Sequence, residues 1–315
     1  MKFLKLPLDL LNALLALLLA PLTKLQARLG PMWLPRTFRV WDMHKISPVS
    51  HQYYQPVFDV HTLPDHLWVG ADEMVGVNLN EDAQLALLRS FSYQDEMRSV
   101  PTVEQSGSLL FYHNQSYGPA DAEILYNMVR HFKPERVIEI GSGYSTRMMK
   151  QALDRNRQEG RASSHVCIEP YEMPWLESLG LDQVVRKKVE DVPLELFDSL
   201  ERNDILFIDS SHVIRTGGDV LFEFLKILPR LKPGVIVHIH DIFLPYEYPR
   251  EWLVARRRYW TEQYLLQAFL AFNSQFEVLA AVHWLAKTHH DALANACPVY
   301  SEQKRGHGAF WIRRI

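Results

Sequence analysis

The sequence predicts an α/β fold: a doubly wound, mostly parallel sheet preceded by an N-terminal cap and an apolar leader helix. Three observations predict it. First, apolar runs of strand length alternate with helical patterns from about residue 118 to Asp241, as expected of a parallel sheet. Second, the run Val137 to Ile140 feeds a turn holding Gly141 and Gly143, and a helix-like segment follows from Ser145. A strand that ends in a Gly turn at a helix N-terminus lets backbone N–H groups approach a ligand without Cβ interference. Third, run after run carries an acid at its carboxyl end: Glu139, Glu169, Glu190-Asp191, Asp209 and Asp241. That is where open α/β sheets bind ligands. Any one of these acids reads equally well as a helix cap, but five in register do not.

From the N-terminus, Leu10 to Leu22 is almost continuously apolar, broken by Asn12 and stopped by Pro21. Such a run rises roughly 20 Å as a helix, short of the ~30 Å hydrocarbon core, and so does not read as a transmembrane span. The basic start Met1-Lys-Phe-Leu-Lys5 resembles a signal peptide, but Asp9 lies against the run and no small-x-small cleavage site follows Ala20. The favoured reading is an uncleaved leader helix over residues 1–30. It either lies on a membrane surface through residues 3–22, flanked by Lys24 and Arg28, or packs against the body. Residues 31–117, rich in aromatics and prolines and with a helix pattern at Glu81 to Ser90, are expected to cap the substrate side of the sheet.

Residues 118–315 form the α/β domain. Asp121 to Phe132 is apolar at helical spacing and leads into the first strand. The later strands are His165–Ile168, Gln183 to Val189, Asp204–Ile208 and Gly234–Ile239, with Lys232-Pro233-Gly234 as the turn before the last of these. Leu265 to Phe272 reads as a helix, and Phe276 to Leu285 and Ala309 to Ile312 as late strands.

Composition narrows the functions. Nearly half the residues are hydrophobic, which suits a packed core, and a formal charge of −3 gives no support for a nucleic-acid surface. Arg256-Arg-Arg258 reads as a solvated helix face or as a site for an anionic partner. The two cysteines, Cys167 and Cys297, have neither metal spacing nor a disulfide framework, so a reducing cytoplasm suits the chain. Cys167, within an apolar strand, reads as core. The Gly turn is not a dinucleotide fingerprint, because Thr146 stands where the third Gly would be and Glu139 would repel a pyrophosphate. Those two features count against an NAD-dependent oxidoreductase. A non-catalytic membrane-associated scaffold would have no need of the row of strand-end acids.

The segments Val-Ile-Glu-Ile-Gly-Ser-Gly-Tyr-Ser-Thr146, Cys-Ile-Glu-Pro170, Leu-Phe-Ile-Asp-Ser-Ser-His212 and Leu-Lys-Pro-Gly-Val-Ile-Val-His-Ile-His-Asp241 together resemble the class I S-adenosylmethionine-dependent methyltransferases. Asp209 to Asp219 and Asp241 to Pro249 resemble, more narrowly, an uncharacterised bacterial branch similar to the small-molecule and sugar O-methyltransferases. Gln55-Pro-Val-Phe58 and Gln84 to Leu88 extend the likeness toward the N-terminus. The resemblance implies a Rossmann-like sheet whose late strands form a hairpin-like end, with its second strand able to insert antiparallel. It implies that Glu139, Gly141, Ser142 and Gly143 surround the methionine part of S-adenosylmethionine, that Glu169 holds the ribose and that Asp191 lies where adenine binds. A cytoplasmic cofactor implies a cytoplasmic enzyme, at the inner face of the membrane if the leader binds lipid.

The chemistry is expected at Asp209, His212, His240 and Asp241. Methyl transfer is an in-line displacement from a sulfonium, so the acceptor must be positioned and its proton removed or masked. In metal-dependent relatives one acid follows strand four and two adjacent oxygen ligands follow strand five. Asp209 matches the first, and His240 and Asp241 fall on the pair. A divalent ion held by Asp209, His240 and Asp241 (Mg, Mn or Fe) would lower the acceptor's pKa, although imidazole in place of an oxygen ligand suits Mn, Fe or Zn better than Mg²⁺. The alternative is no metal and a histidine base, since an ordinary histidine pKa of about 6.5 makes His212 or His240 a competent acceptor. His238 reads as a core histidine. Tyr144 stands beside the cofactor turn, and Tyr246, Tyr248, Trp252 and Trp260 form a wall for a sugar or aromatic acceptor or ordinary lid packing.

Overall fold

Seven short apolar segments build one sheet in the order β3-β2-β1-β4-β5-β7-β6. Its strands are β1 Arg136–Ile140, β2 Ser164–Ile168, β3 Gln183–Val185, β4 Ile205–Ile208, β5 Ile236–Ile239, β6 Phe276–Ala281 and β7 Phe310–Arg314. A computed structural model describes residues 2–105, 110–114, 116–171, 173–300 and 307–315, and the side chains of 2–5 are not described. The basic start at Met1 to Lys5 therefore lies outside the described side chains. Contacts divide the chain into two units, Met1–Pro64 and Asp65–Ile315.

In the larger unit β1 pairs in parallel with both β2 and β4, and β4 with β5. The strand residues Ile205–Ile208 and Ile236–Ile239 are all buried, because helices cover both faces of a parallel sheet and leave no polar side to alternate toward. The late strands reverse direction: β7 runs antiparallel between β5 and β6. The antiparallel insertion that the sequence leaves open is what the structure has.

Two late expectations are corrected. The third strand ends at Val185 rather than Val189, and Val189–Asp191 is a 3-10 turn. The break falls at Arg186, which leaves the edge of the sheet to pair with Glu177 at 2.8 Å. The segment Phe276 to Leu285 is a strand only as far as Ala281, after which Val282–Thr288 is helical. Ala281 already pairs with Phe310, the first residue of β7. The last ladder bond runs from the Val282 N–H to the Ala309 carbonyl at 3.0 Å, and past it Val282, Trp284 and Leu285 are buried in a helix instead.

The smaller unit holds α1 (Lys2–Trp33) and α2 (Pro35–Met43). Pro21 does not stop α1. The first break comes at Gly30, whose φ of 72° lies in the left-handed region, with Pro31 following. Leu6–Trp33 is thus 28 residues long, and its most apolar 18-residue window has a mean hydropathy of 1.8 with none of that window buried. At 1.5 Å per residue the unbroken stretch from Leu6 to Leu29 is roughly 36 Å long, enough by length to cross a hydrocarbon core. The short length expected from a stop at Pro21 is therefore corrected: the helix runs on to Gly30.

Preceding the sheet in the larger unit are α3 (Glu81–Ser90), α4 (Gln94–Arg98) and α5 (Pro119–Phe132). All of α5 from Pro119 to Arg130 is buried, which requires partners for its polar side chains. Glu123 accepts the Val299 N–H at 2.8 Å. Arg130 donates to Glu96 at 2.9 Å and also to Glu159 and Asn156. Gln84 on α3 accepts the Ala281 N–H at 2.8 Å, tying α3 to the end of β6. Helix α6 (Tyr144–Gln158) follows β1 directly.

Candidate active site

The turn after β1 is built around a carboxylate. Glu139 is fully buried. One oxygen accepts the hydroxyls of Ser145 at 2.9 Å and Thr146 at 3.0 Å, and the other accepts the Cys167 thiol at 3.3 Å and faces His165 Nε2 at 3.2 Å. Thr146 Oγ1 in turn accepts the Gly143 N–H at 2.9 Å. The threonine that replaces the third glycine therefore closes the turn from below, and Glu139 holds the turn rather than reaching out of it. Burial and the Glu139 charge push the Cys167 thiol far up, consistent with a core cysteine.

The two glycines serve different needs. Gly141 has φ +77°, and a Cβ there would lie 1.9 Å from the Asp209 carbonyl oxygen. Its absence lets the tips of β1 and β4 touch. A Cβ on Gly143 would meet nothing nearer than Met173 Cε at 3.9 Å, so the space above Gly143 is open. Glu169, at the tip of β2, accepts the Ser142 N–H at 3.3 Å and the Tyr171 N–H at 2.9 Å. Glu139, Gly141, Ser142, Gly143 and Glu169 thus meet at one turn. Asp191 is exposed on the turn after β3 and makes no hydrogen bond to that group among the described residues.

The second cluster lies at the ends of β4 and β5. Asp209, His240 and Asp241 each offer a ligand atom within 4.8 Å of the others. His240 Nε2 is 3.6 Å from Asp241, and the buried Nδ1 of His240 has no hydrogen-bond partner. His212 Nε2 faces Asp209 at 3.4 Å and Asp241 at 3.7 Å, while its Nδ1 lies 2.9 Å from Glu262. His212 and Asp241 hold φ values of 60° and 55°, unusual for residues with a Cβ and typical of functional positions. All four expected residues come together.

Their charges support one another. Burial opposes ionisation of Asp209, but the His240 and His212 imidazoles outweigh it and hold its carboxyl at about 2. Burial likewise opposes charge on His212, yet Asp209 and Glu262 raise its pKa well above the ordinary value. His240 is raised in the same way by Asp241, Asp209 and Asp121 against its burial. His238 is fully buried and stacked on Phe207 with ring centroids 4.1 Å apart, and burial lowers its pKa well below the usual range. It lies in the core as expected, but neither of its ring nitrogens has a hydrogen-bond partner among the described residues, so it is not the satisfied histidine the sequence suggests.

Several residues of the site were not singled out in the sequence. Asp121 on α5 accepts the N–H groups of Gly308 at 3.0 Å and Ala309 at 2.9 Å, fixing the entry to β7 beside Asp241. Glu262 and Glu223 are buried behind His212, and burial raises both carboxyls. Tyr117 is 2% exposed, its ring is 4.9 Å from His240, and its hydroxyl has no partner. Glu262 opens a helix in the sequence, where an acid reads as an ordinary dipole partner; nothing local marks it as the anchor of His212.

A cavity of about 1230 Å³ opens over His240 and Asp241, walled by Trp68, Tyr246, Trp252 and Trp260 among others. Tyr248 is buried beside this wall, its hydroxyl accepting the Gln263 N–H at 3.1 Å, so it supports the wall. Tyr144 contacts Phe111 edge-to-face at 5.5 Å.

Residues 138–242 match a family model described as a methyltransferase domain. The span runs from β1 through the acids after β5. The chain is similar, at 30% identity over 52% of its length and 78% of the relative's, to an uncharacterized protein of Archaeoglobus fulgidus. Among solved structures it is similar to an O-methyltransferase from Bacillus cereus in complex with SAH, at 14% identity and a TM-score of 0.36 over 74% of this chain and 90% of that one. It is also similar to a putative methyltransferase from Thermobifida fusca, at 14% identity and a TM-score of 0.39 over 80% of this chain and 97% of that one.

Proposed function

We propose that the chain, a methyltransferase whose residues 138–242 match the methyltransferase-domain model, uses S-adenosylmethionine to methylate a hydroxyl oxygen of a small molecule or glycan, with cation- or histidine-assisted removal of the hydroxyl proton. One observation carries this reading: Asp209 belongs to both halves of the site. Its carbonyl packs on Gly141 of the cofactor turn, and its carboxylate stands with His240 and Asp241. Methyl donor and acceptor must meet within bonding reach, and a residue shared by both subsites supports that juxtaposition.

The residues fit the cofactor. The open space above Gly143 and the carboxylate of Glu169 beside the Ser142 N–H suit the methionine part and the ribose hydroxyls respectively, and Asp191 would serve adenine. When bound, S-adenosylmethionine supplies the methyl group from its sulfonium. The residues also fit a divalent cation, since two carboxylates and one imidazole lie within reach of one another and His240 Nδ1 lacks a protein partner. That mixed set favours Mn or Fe over Mg. A cation at Asp209, His240 and Asp241 would lower the pKa of the acceptor hydroxyl. His212, held by Glu262, orients Asp209 and Asp241, and the aromatic walls keep bulk water from the acceptor.

The test is calorimetric titration with S-adenosylmethionine, with and without chelator, for the native protein and Glu169→Ala, followed by an acceptor screen with Mg²⁺, Mn²⁺ and Fe²⁺. Cofactor binding weakened by Glu169→Ala and chelator-sensitive transfer to a hydroxyl support the reading. Transfer to nitrogen or carbon acceptors alone would overturn it. A second reading concerns location: the bare apolar surface of α1 supports insertion into a bilayer, with the enzyme at the cytoplasmic face where its cofactor is made.

A further inference from the structure

The cavity over the acid cluster has a cationic side that the hydroxyl chemistry does not explain. Three of its acids are already engaged. Asp121 holds the N–H groups of Gly308 and Ala309, and Glu251 pairs with Arg256 at 2.7 Å. Glu247 accepts from the Tyr248 N–H, the Gln263 amide and the Tyr264 hydroxyl. The guanidinium of Arg258 is held differently, over the rings of Trp252 at 4.8 Å and Trp260 at 4.6 Å. Among the described residues no carboxylate pairs with Arg258 or with Lys287, which lines the same cavity. A guanidinium stacked on ring faces keeps its N–H edges available, and those edges match the two oxygens of a carboxylate or phosphate.

The position is informative as well. Trp260 also packs on His212, with ring centroids 4.3 Å apart, so Arg258 stands one indole away from the acid–histidine cluster. We propose that the methyl acceptor is an anion: a hydroxylated small molecule whose carboxylate or phosphate is held by Arg258, with Lys287 assisting, while its hydroxyl lies over His240 and Asp241. This rests on the methyltransferase reading above and adds the charge of the substrate to it. The stacking gives the anion site its selectivity, because a cation already fixed between two rings loses little side-chain freedom on binding.

The experiment titrates the full-length protein, first with S-adenosylhomocysteine and then, so loaded and with Mn²⁺ present, with four probes: inorganic phosphate, glucose 6-phosphate, glucuronate and glucose. Failure to bind S-adenosylhomocysteine would overturn the methyltransferase reading and this inference with it. Given that binding, the expected result is at least about ten-fold tighter binding of an anionic sugar than of glucose. Preference for glucose 6-phosphate or for glucuronate identifies the anion as phosphate or carboxylate. Arg258→Met should remove the preference and Lys287→Gln reduce it, with S-adenosylhomocysteine affinity unchanged as the control for folding. If Arg258→Met fails that control, Arg258→Lys replaces it, and a loss of several-fold is expected because the planar fork is gone. Equal response to all four probes, no response to the anions, or a preference that survives both substitutions overturns the inference.

Discussion

Nδ1 of His212 lies 2.9 Å from a carboxylate oxygen of Glu262, and both side chains are buried. The carboxylate fixes the proton on Nδ1 and turns Nε2 toward Asp209 and Asp241. Glu262→Gln keeps the shape but removes the charge that orients the ring. The expected result is a fall in kcat of at least about ten-fold, with cofactor Kd changed by less than about two-fold. Parallel loss of both would show that Glu262 supports the fold and not the acceptor site.

The two glycines of the turn separate folding from binding. Gly141→Ala would force a Cβ to 1.9 Å from the Asp209 oxygen at a positive φ, which strained geometry and overpacking together make worth about 3 kcal/mol of stability. Gly143→Ala meets only open space and should leave the denaturant midpoint nearly unchanged. Its methyl group would occupy the cofactor's room, so affinity for S-adenosylmethionine should fall about ten-fold or more. Equal thermal stability of the two variants would refute the distinction.

Asp241→Ala should reduce methyl transfer by about a hundred-fold or more, while calorimetry shows cofactor binding largely intact. Because Asp241 sits at φ 55°, alanine adds backbone strain, and Asp241→Asn, which tolerates that conformation better, is the cleaner probe of charge. Chelation should mimic both variants, and added Mn²⁺ should restore the native protein alone. Turnover indifferent to chelator and reduced only by His212 or His240 substitution would assign the proton to a histidine.

The sheet was legible because each buried parallel strand is a short apolar run and each ends in a polar group at a turn, a pattern fixed by burial on both faces. The end of β6 was not. Val282 to Leu285 continue the apolar run of Val278 to Ala281, and only the point where β7 begins decides that the strand becomes a helix. Pro21 reads as a stop by local chemistry, yet the chain continues helically to Gly30. The four acceptor-site residues were visible because strand ends converge by topology. Glu262 and Asp121 were not, since each sits in the first turn of a helix, where acids are common for reasons unrelated to a site.

Burial pushes His283 down to about 4, helped by the nearby Lys287, and His307 to about 4 with His283, Lys287 and His290 as the facing charges. A histidine with a lowered folded pKa is bound by protons first in the unfolded chain. Its neutral form therefore favours folding above an unfolded pKa of about 6.5, and that advantage is lost as pH falls toward 4, on the order of 3 kcal/mol for His283. Unfolding free energy should drop over that window, and His283→Gln should flatten the dependence. An unchanged slope in denaturant titrations at pH 7, 5.5 and 4.5 would rule His283 out as its source.

The leader makes the last prediction. Leu14, Leu17 and Leu18 on α1 are 62, 73 and 76% exposed, and water would not leave such a surface bare without cost. If α1 enters a bilayer, full-length protein should float with vesicles and resist extraction by alkaline carbonate. Lysine at a helix centre opposes insertion by about 2.5–3.5 kcal/mol per residue. Leu14→Lys with Leu17→Lys should therefore move the protein to the soluble fraction while its affinity for S-adenosylmethionine is unchanged. Flotation that survives both lysines would place the membrane contact elsewhere, and a native protein that never floats would mean that α1 covers its leucines against protein.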